Sequence, residues 1–174
     1  GTGIQAPGAA RRIVRIDGEP AQPGDLLDHI RPIWVTPEQD RLFSDSRAER
    51  LKFFDRLVFA ARPSHAHAVA AYDKALRERL RLLSDAAERD LAPDPLWLDA
   101  LEARLAESGA AAALNRAEAL VELQSAIDDR TETPFPQGDL SLVGEAEQRA
   151  GEGASSEALI GALSEGFCRA RGRD

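Results

Sequence analysis

The chain has 174 residues, 43% of them hydrophobic, and its 22 basic and 30 acidic side chains give a formal net charge of −8. This length suits one domain of ordinary size, and the acidic balance argues against strong DNA binding by this chain alone, because a negative surface repels phosphates. No apolar run approaches the ~20 residues of a membrane-spanning helix, and the first residues lack the pattern of a signal peptide.

The first part of the chain predicts short strands and turns. Residues 11–16 alternate between polar and apolar and predict a strand, and Asp17-Gly18 is a turn signal. Pro20, Pro23 and Gly24 predict irregular backbone, followed by a short helical turn at Asp25–His29. The apolar run Ile33-Trp34-Val35 predicts a buried strand.

Strong helix-start signals follow that run. Thr36 is a suitable N-cap, Pro37 a suitable first helical residue, and Gln39 stands where a capping box requires Glu or Gln. Ser46 and Glu49 repeat this box at the start of a helix that we expect to reach about Ala61.

Two long helices are predicted next. The first runs from Ser64 to about Asp90 and carries a coiled-coil-like apolar seam. The seam consists of Val69, Tyr72, Leu76, Leu80, Leu83 and Ala87. Asp94 and Pro95 open the second helix, which reaches about Asp129, although Gly109 and the alanines after it should weaken its middle. Because so few residues join them, these helices should form an antiparallel hairpin.

The last part combines a strand with a helix. Residues 133–138 break the helical pattern, and Asp139–Val143 predicts a short strand. After a loop at Gly151–Ala154, a final helix spans Ser155–Arg171 with apolar residues on one face. The fold class is therefore mainly α with a few strands (α+β), with a long antiparallel helix pair as its principal feature.

Few local motifs point to chemistry. A phosphate-binding P-loop needs a lysine that follows glycines, and neither Lys52 nor Lys74 does so; we therefore expect no ATP hydrolysis by this chain. Leu163-Ser164-Glu165-Gly166 has some likeness to an ABC signature but fits an ordinary helical stripe better. His65 and His67 should point to different faces of their helix, which disfavours a shared metal. Cys168, the only cysteine, suits a reducing cytoplasm and has no histidine near it to activate it.

Three arginines on the first long helix, Arg77, Arg79 and Arg81, could form a DNA-binding stripe. Acidic residues at i,i+4 spacing favour a solvated, self-compensated face instead. The expected pairs are Lys74–Glu78, Asp73–Arg77 and Arg81–Asp85.

The stretches Trp34–Phe43 and Glu49–Leu57 resemble the RecF family of DNA-repair ATPases of the ABC/SMC type. The helix Tyr72–Leu83 is similar to that family's Tyr…Ala-Leu-Arg-x-Arg-Asn-x-Leu-Leu motif, with Leu80 where asparagine is usual. The absence of methionine and the missing P-loop and signature segments lead us to expect an interior piece of such a protein.

The resemblance implies a domain plan and candidate sites. Residues 1–43 would belong to the ATPase head, 44–132 to a helical lobe, and 133–174 to a return toward the head. Glu38, or alternatively Gln39, would occupy the Q-loop position that senses the γ-phosphate and Mg, although both residues could simply open a helix. Arg41, Arg47 and Arg50 are the candidate DNA contacts.

The resemblance also implies the function of the full protein. It would bind ATP with Mg, form an ATP-dependent homodimer, bind DNA at single-strand gaps, and act with RecR and RecO to load RecA in recombinational repair and the SOS response. No membrane role is implied, and the protein would be cytoplasmic. The alternative is a stand-alone coiled-coil module that recruits a protein without nucleotide chemistry. An autonomous enzyme is disfavoured, since the sequence offers no nucleophile–base pair.

Overall fold

A computed structural model describes residues 2–4, 12–22, 25–26, 29–30, 33–130, 134 and 136–171. The chain separates into two compact units, Gly1–Pro63 and Ser64–Asp174. The first contains a small sheet and one long helix, and the second is helical. The predicted fold class, mainly α with a few strands and a long-helix hairpin, is confirmed.

The sheet of the first unit has three antiparallel strands in the order β1 (Thr2–Ile4), β2 (Arg12–Ile16), β3 (Glu19–Ala21). Asp17 and Gly18 join β2 to β3 with φ values of 50° and 90°, as a tight hairpin with right-handed strand twist requires. The predicted strand and turn are confirmed. The expectation of irregular backbone at Pro20 is wrong, because β3 is an edge strand and tolerates a residue without an N–H.

The predicted buried strand at Ile33-Trp34-Val35 is wrong. The backbone there pairs with no strand in the part of the chain that the structure describes, and Ile33 and Val35 are 65% and 72% exposed. A three-residue apolar strand is stable only when neighbouring strands pair with it and side chains cover both of its faces. The described residues of this unit supply neither.

Helix α1 spans Arg47–Ala61 and begins as predicted. The Ser46 side chain accepts a hydrogen bond from the Glu49 N–H at 3.3 Å, which satisfies one of the free donors of the first turn. Val58 and Ala60 are its buried residues. Of the predicted helical turn at Asp25–His29, residues 27 and 28 lie outside the described residues, and the His29 N–H donates to the Leu26 carbonyl at 3.1 Å.

The second unit is built around one central helix. Its elements are α2 (Ser64–Glu88), α3 (Pro95–Asp128), α4 (Glu145–Gly151) and α5 (Ser156–Ala170). Helix α3 packs against α2, α4 and α5. Tyr72 lies beside Gly109, and Arg79, further along α2, meets the earlier residue Glu102; α2 and α3 are therefore antiparallel, as predicted.

The seam predicted for α2 is shifted. The buried residues of this helix are His65, Ala75, Arg79 and Ala86, whereas Leu80 is 50% exposed and Ala87 is exposed. A coiled-coil seam assumes one partner helix. Arg79 contacts both Glu102 on α3 and Phe167 on α5, so two helices decide which face of α2 is buried.

Small residues bring the helices together at the centre of α3. The helix continues through Gly109, where an added Cβ would lie 3.2 Å from both Leu163 and Tyr72. The alanines that follow include some of the most buried residues of the chain, such as Ala110 and Ala113. Residues without long side chains therefore allow α2 and α5 to approach the same point on α3.

The predicted strand Asp139–Val143 is also wrong. This segment is not part of a ladder among the described residues, and a side chain holds its backbone. The Gln124 Oε1 accepts from the Leu140 N–H at 3.0 Å, and its Nε2 donates to the Gly138 carbonyl at 3.2 Å.

The short helix α4 was not predicted from the sequence. Helix α5 was, and Ser155 caps it by accepting from the Ala158 N–H at 3.2 Å.

Candidate functional site

The predicted nucleotide-sensing residues lie on a short 3₁₀ helix, Pro37–Arg41, in the first unit. Thr36 precedes it in extended conformation, with φ −106° and ψ 158°, and Pro37 takes the first position as predicted. The Gln39 Oε1 accepts from the Thr36 N–H at 2.9 Å. The Gln39 amide oxygen is therefore used to hold the start of the helix. The side chain of Glu38 lies outside the described part of the structure.

A polar cleft of about 170 Å³ lies beside this helix. Thr36 and Gln39 line one side, and residues of α1, including Lys52 and Arg56, line the other. The Lys52 Nζ lies 3.3 Å from the Glu49 Oε1. Asp45 and Glu49 balance the two cations in charge, so the cleft is not an anion trap by charge alone.

Arg56 attaches the exposed apolar segment to α1. Its Cζ lies 5.2 Å from the ring centroid of Trp34 and 5.3 Å from that of Phe53. Each contact has the geometry of a cation–π interaction, with a stabilising free energy of about 0.5–1 kcal/mol at sites of this exposure. Arg56 therefore joins Trp34 to α1 and is itself one of the residues that line the cleft.

The three candidate DNA contacts occur within one short stretch. Arg41 ends the 3₁₀ helix, and Arg47 and Arg50 lie in the first turn of α1, all with exposed side chains. The Arg50 Nη1 donates to the Asp45 carbonyl at 2.5 Å. Acidic residues alternate with these arginines along residues 40–50, so the stretch has no net positive charge.

The second unit contains a buried ion cluster. The Arg79 Nε lies 3.0 Å from the Glu102 Oε1, with side chains 3% and 5% exposed. Arg171 donates from Nε to the Glu102 Oε2 at 2.9 Å and from Nη2 to the Asp99 Oδ1 at 2.5 Å. The hydrogen bonds that Arg171 donates to Glu102 and Asp99 raise the pKa of its guanidinium above the ordinary value of arginine. The Arg79 Cζ also lies 5.8 Å from the ring centroid of Phe167.

This cluster corrects the prediction of a solvated arginine face. Two predicted surface pairs are confirmed, Lys74–Glu78 at 3.9 Å and Arg81–Asp85 at 3.7 Å. Arg79 lies instead in the core and joins α2 to α3 and α5. One signal in the sequence indicates this cluster: Glu102 stands among the apolar residues Leu98, Leu101 and Leu105, where a carboxylate needs a buried cation.

The remaining candidates show no catalytic arrangement. His65 is buried and His67 exposed, which confirms that they face different ways. Cys168 is exposed. Within the residues that the structure describes, no group of three or more His, Cys, Asp or Glu side chains could hold a metal ion. Over the same residues, no helix is both long and apolar enough to cross a bilayer.

Comparison with known proteins identifies relatives. No protein-family model and no solved structure matches the chain. The chain is 54% identical over all 174 residues to "DNA replication and repair protein RecF" of Caulobacter sp. (strain K31), of which it covers 44%. The protein of the same name from Caulobacter vibrioides is also 54% identical and is covered to 45%. The one from Mesorhizobium japonicum is 43% identical over 150 residues, which are 84% of this chain and 38% of the relative.

The chain thus spans less than half the length of the curated relatives that it matches. Similarity at this level over every residue reflects common descent. The chain belongs to the RecF family.

Proposed function

We propose that this chain is part of a RecF protein that acts in DNA replication and repair in the cytoplasm. The full protein binds ATP and Mg, forms an ATP-dependent homodimer, binds DNA at single-strand gaps, and works with RecR and RecO to load RecA in recombinational repair and the SOS response. The observation that carries the proposal is the 54% identity, over the whole chain, to proteins named for DNA replication and repair.

Within that function, we assign nucleotide sensing to Glu38. The amide oxygen of Gln39 accepts from the Thr36 N–H, so it is engaged in capping. Glu38 precedes Gln39 in the sequence of the same 3₁₀ helix, and Thr36 and Gln39 line the polar cleft. The phosphate-binding groups come from sequence outside this chain, since neither lysine here follows a glycine.

The test is ATP turnover by the full-length protein. Glu38→Ala should lower the rate roughly tenfold or more if its carboxylate positions Mg or water near the γ-phosphate. Gln39→Glu keeps a capping oxygen and should retain turnover within about twofold. Equal ATP turnover by the Glu38→Ala variant and the unmodified protein would contradict the role assigned to Glu38. The absence of any ATP turnover by the full-length protein would contradict the proposed ATPase function.

DNA binding is assigned to the stretch that contains Arg41, Arg47 and Arg50. Replacing all three with alanine in the full-length protein should weaken binding to gapped DNA. Each lost phosphate contact reduces the steepness of log K against log salt by about 0.9. The triple variant should therefore show a slope that is less steep by up to three times this amount. Arg77→Ala, an exposed arginine on α2, is the control that should leave the slope unchanged. An unchanged slope in the triple variant would exclude these residues as DNA contacts.

A further inference from the structure

The tip of the α2–α3 hairpin, defined here as residues 88–99, exposes three large apolar side chains. Leu91, Leu96 and Trp97 are 65%, 79% and 56% exposed. Outside the tip, the second unit buries Leu105 and Leu159 almost completely and exposes Leu80, Val121 and Val143 at separate positions along the chain. A group of exposed apolar side chains at one end of such a unit is typical of an interaction surface.

The backbone of the tip is held in place on both sides. The Asp94 Oδ1 accepts from the N–H groups of Leu96 and Trp97 at 2.9 and 3.3 Å. On the α2 side, Asp90 has a φ of 53° and the Leu91 N–H donates to the Ala86 carbonyl at 2.9 Å, which closes the helix. A surface already ordered in this way loses little conformational entropy when it binds.

An apolar groove of about 400 Å³ adjoins the exposed side chains. The residues that line it include Leu83, Ala87, Pro93 and Arg171. The tip therefore combines a protruding tryptophan, the residue type most enriched among binding hot spots, with a concave apolar surface.

The charges at the tip indicate the kind of partner. Four carboxylates and one guanidinium occupy it: Glu88, Asp90, Asp94, Asp99 and Arg89. Arg171 compensates Asp99, and an acidic excess remains around the apolar residues. Such a surface repels DNA and attracts cationic protein surfaces.

We infer that the tip of the α2–α3 hairpin is a docking surface for a protein partner that presents an apolar cleft rimmed by lysine or arginine side chains. Leu96 and Trp97 enter that cleft, and Glu88 and Asp90 face its basic rim. The choice of probes in the test rests on the proposed function, whereas the surface itself is defined by exposure, groove and charge.

The test measures binding of the 174-residue chain to purified RecR and to purified RecO. The chain carrying both Leu96→Ser and Trp97→Ser should bind one of the two probes about tenfold or more weakly. Val121→Ser is the matched control, because Val121 is an exposed apolar residue of the same helix, and its Kd should stay within about twofold. Glu88→Gln with Asp90→Asn should weaken binding about threefold at low salt and have no effect at about 0.5 M salt.

Several results would overturn the inference. One is equal binding by the double serine variant and the control, and another is the absence of binding to either probe by the unmodified chain. Self-association that the serine variant abolishes would assign the tip to a second copy. Weaker DNA binding by this variant would assign it to nucleic acid. A larger loss of thermal stability in the full-length protein than in the chain would place the tip in an internal interface. The proposed function is judged separately, by ATP turnover and gapped-DNA binding of the full-length protein.

Discussion

The two units of this chain differ in how completely they bury their apolar residues. In the second, α3 is covered by α2, α4 and α5, and Leu98, Leu101 and Leu105 are at most 3% exposed. In the described part of the first, Val14, Val58 and Ala60 are the buried apolar residues, and Ile33 and Val35 remain exposed. Helices contiguous in sequence can complete a core by themselves, whereas an apolar strand needs pairing partners on both sides.

Because burial is more complete in the second unit, we expect the loss of one charged side chain to lower the free energy of unfolding most there. Glu102→Ala leaves Arg79 buried without its carboxylate and should lower the free energy of unfolding by about 3–5 kcal/mol. Urea unfolding followed by helical circular dichroism measures this change. Arg56→Ala, which removes a half-buried cation of the first unit, should lower the free energy of unfolding by about 1 kcal/mol.

Two controls sharpen this prediction. Glu107→Ala removes an exposed carboxylate of the same helix and should change stability by less than about 0.5 kcal/mol. Replacing Arg79 by Met together with Glu102 by Leu should recover most of the loss, because no charge is then left buried alone. Equal stability of the Glu102→Ala and Glu107→Ala variants would show that the cluster contributes nothing.

A smaller effect is expected at the point where three helices converge. Gly109→Val should destabilise the second unit by about 1–3 kcal/mol, because its side chain would press against Tyr72 and Leu163. Gly161→Ala on α5 is the matched helical control: no atom lies within 4 Å of the added Cβ, so it should stabilise by about 0.5–1 kcal/mol. Thermal unfolding of both variants compares them directly. A stabilising Gly109→Val would mean that the helices do not pack closely there.

The smallest effect concerns alkaline pH. Burial raises the pKa of Tyr72 above its ordinary value of 10.0, and the carboxylate of Glu147 raises it further. A group whose pKa is raised by folding contributes stability below its unfolded pKa and loses it as the pH rises through the folded pKa. The free energy of unfolding should therefore fall above about pH 10, and less so in Tyr72→Phe.

This titration can be followed directly, because Tyr72 is the only tyrosine of the chain. Absorbance at 295 nm should report a midpoint in the folded protein above that in urea. Identical midpoints would show that Tyr72 is not buried between the helices.

Most helix boundaries could be predicted from the sequence because they depend on neighbouring residues. Ser46 and Asp94 cap the helices that were assigned to them, and Ser155, the predicted first residue of the last helix, is its N-cap. The predicted strands at 33–35 and 139–143 failed because a strand exists only with a partner. Instead of pairing with strands, these two segments contact side chains. Arg56 lies over the Trp34 ring, and the Gln124 side chain forms hydrogen bonds with the backbone of residues 138–140.

The candidate site divides in the same way. The motif that contains Thr36–Gln39 could be located in the sequence, and so could the helix-opening role of Gln39. Its relation to Arg56 and the cleft could not, because these contacts join residues on different elements. The exposure of the hairpin tip could likewise not be predicted, since leucine and tryptophan in a sequence do not show whether another helix covers them.

By itself, the sequence determined the capped helices, the antiparallel α2–α3 pair and the membership in the RecF family, since each depends on residues read in order. Only the tertiary structure decided that Arg79 lies in the core, that Leu80 does not, and that Leu96 and Trp97 face solvent. Burial is a property of all the elements packed around a residue: α3 is the main partner of α2, and Phe167 of α5, distant in sequence, adds a contact to Arg79.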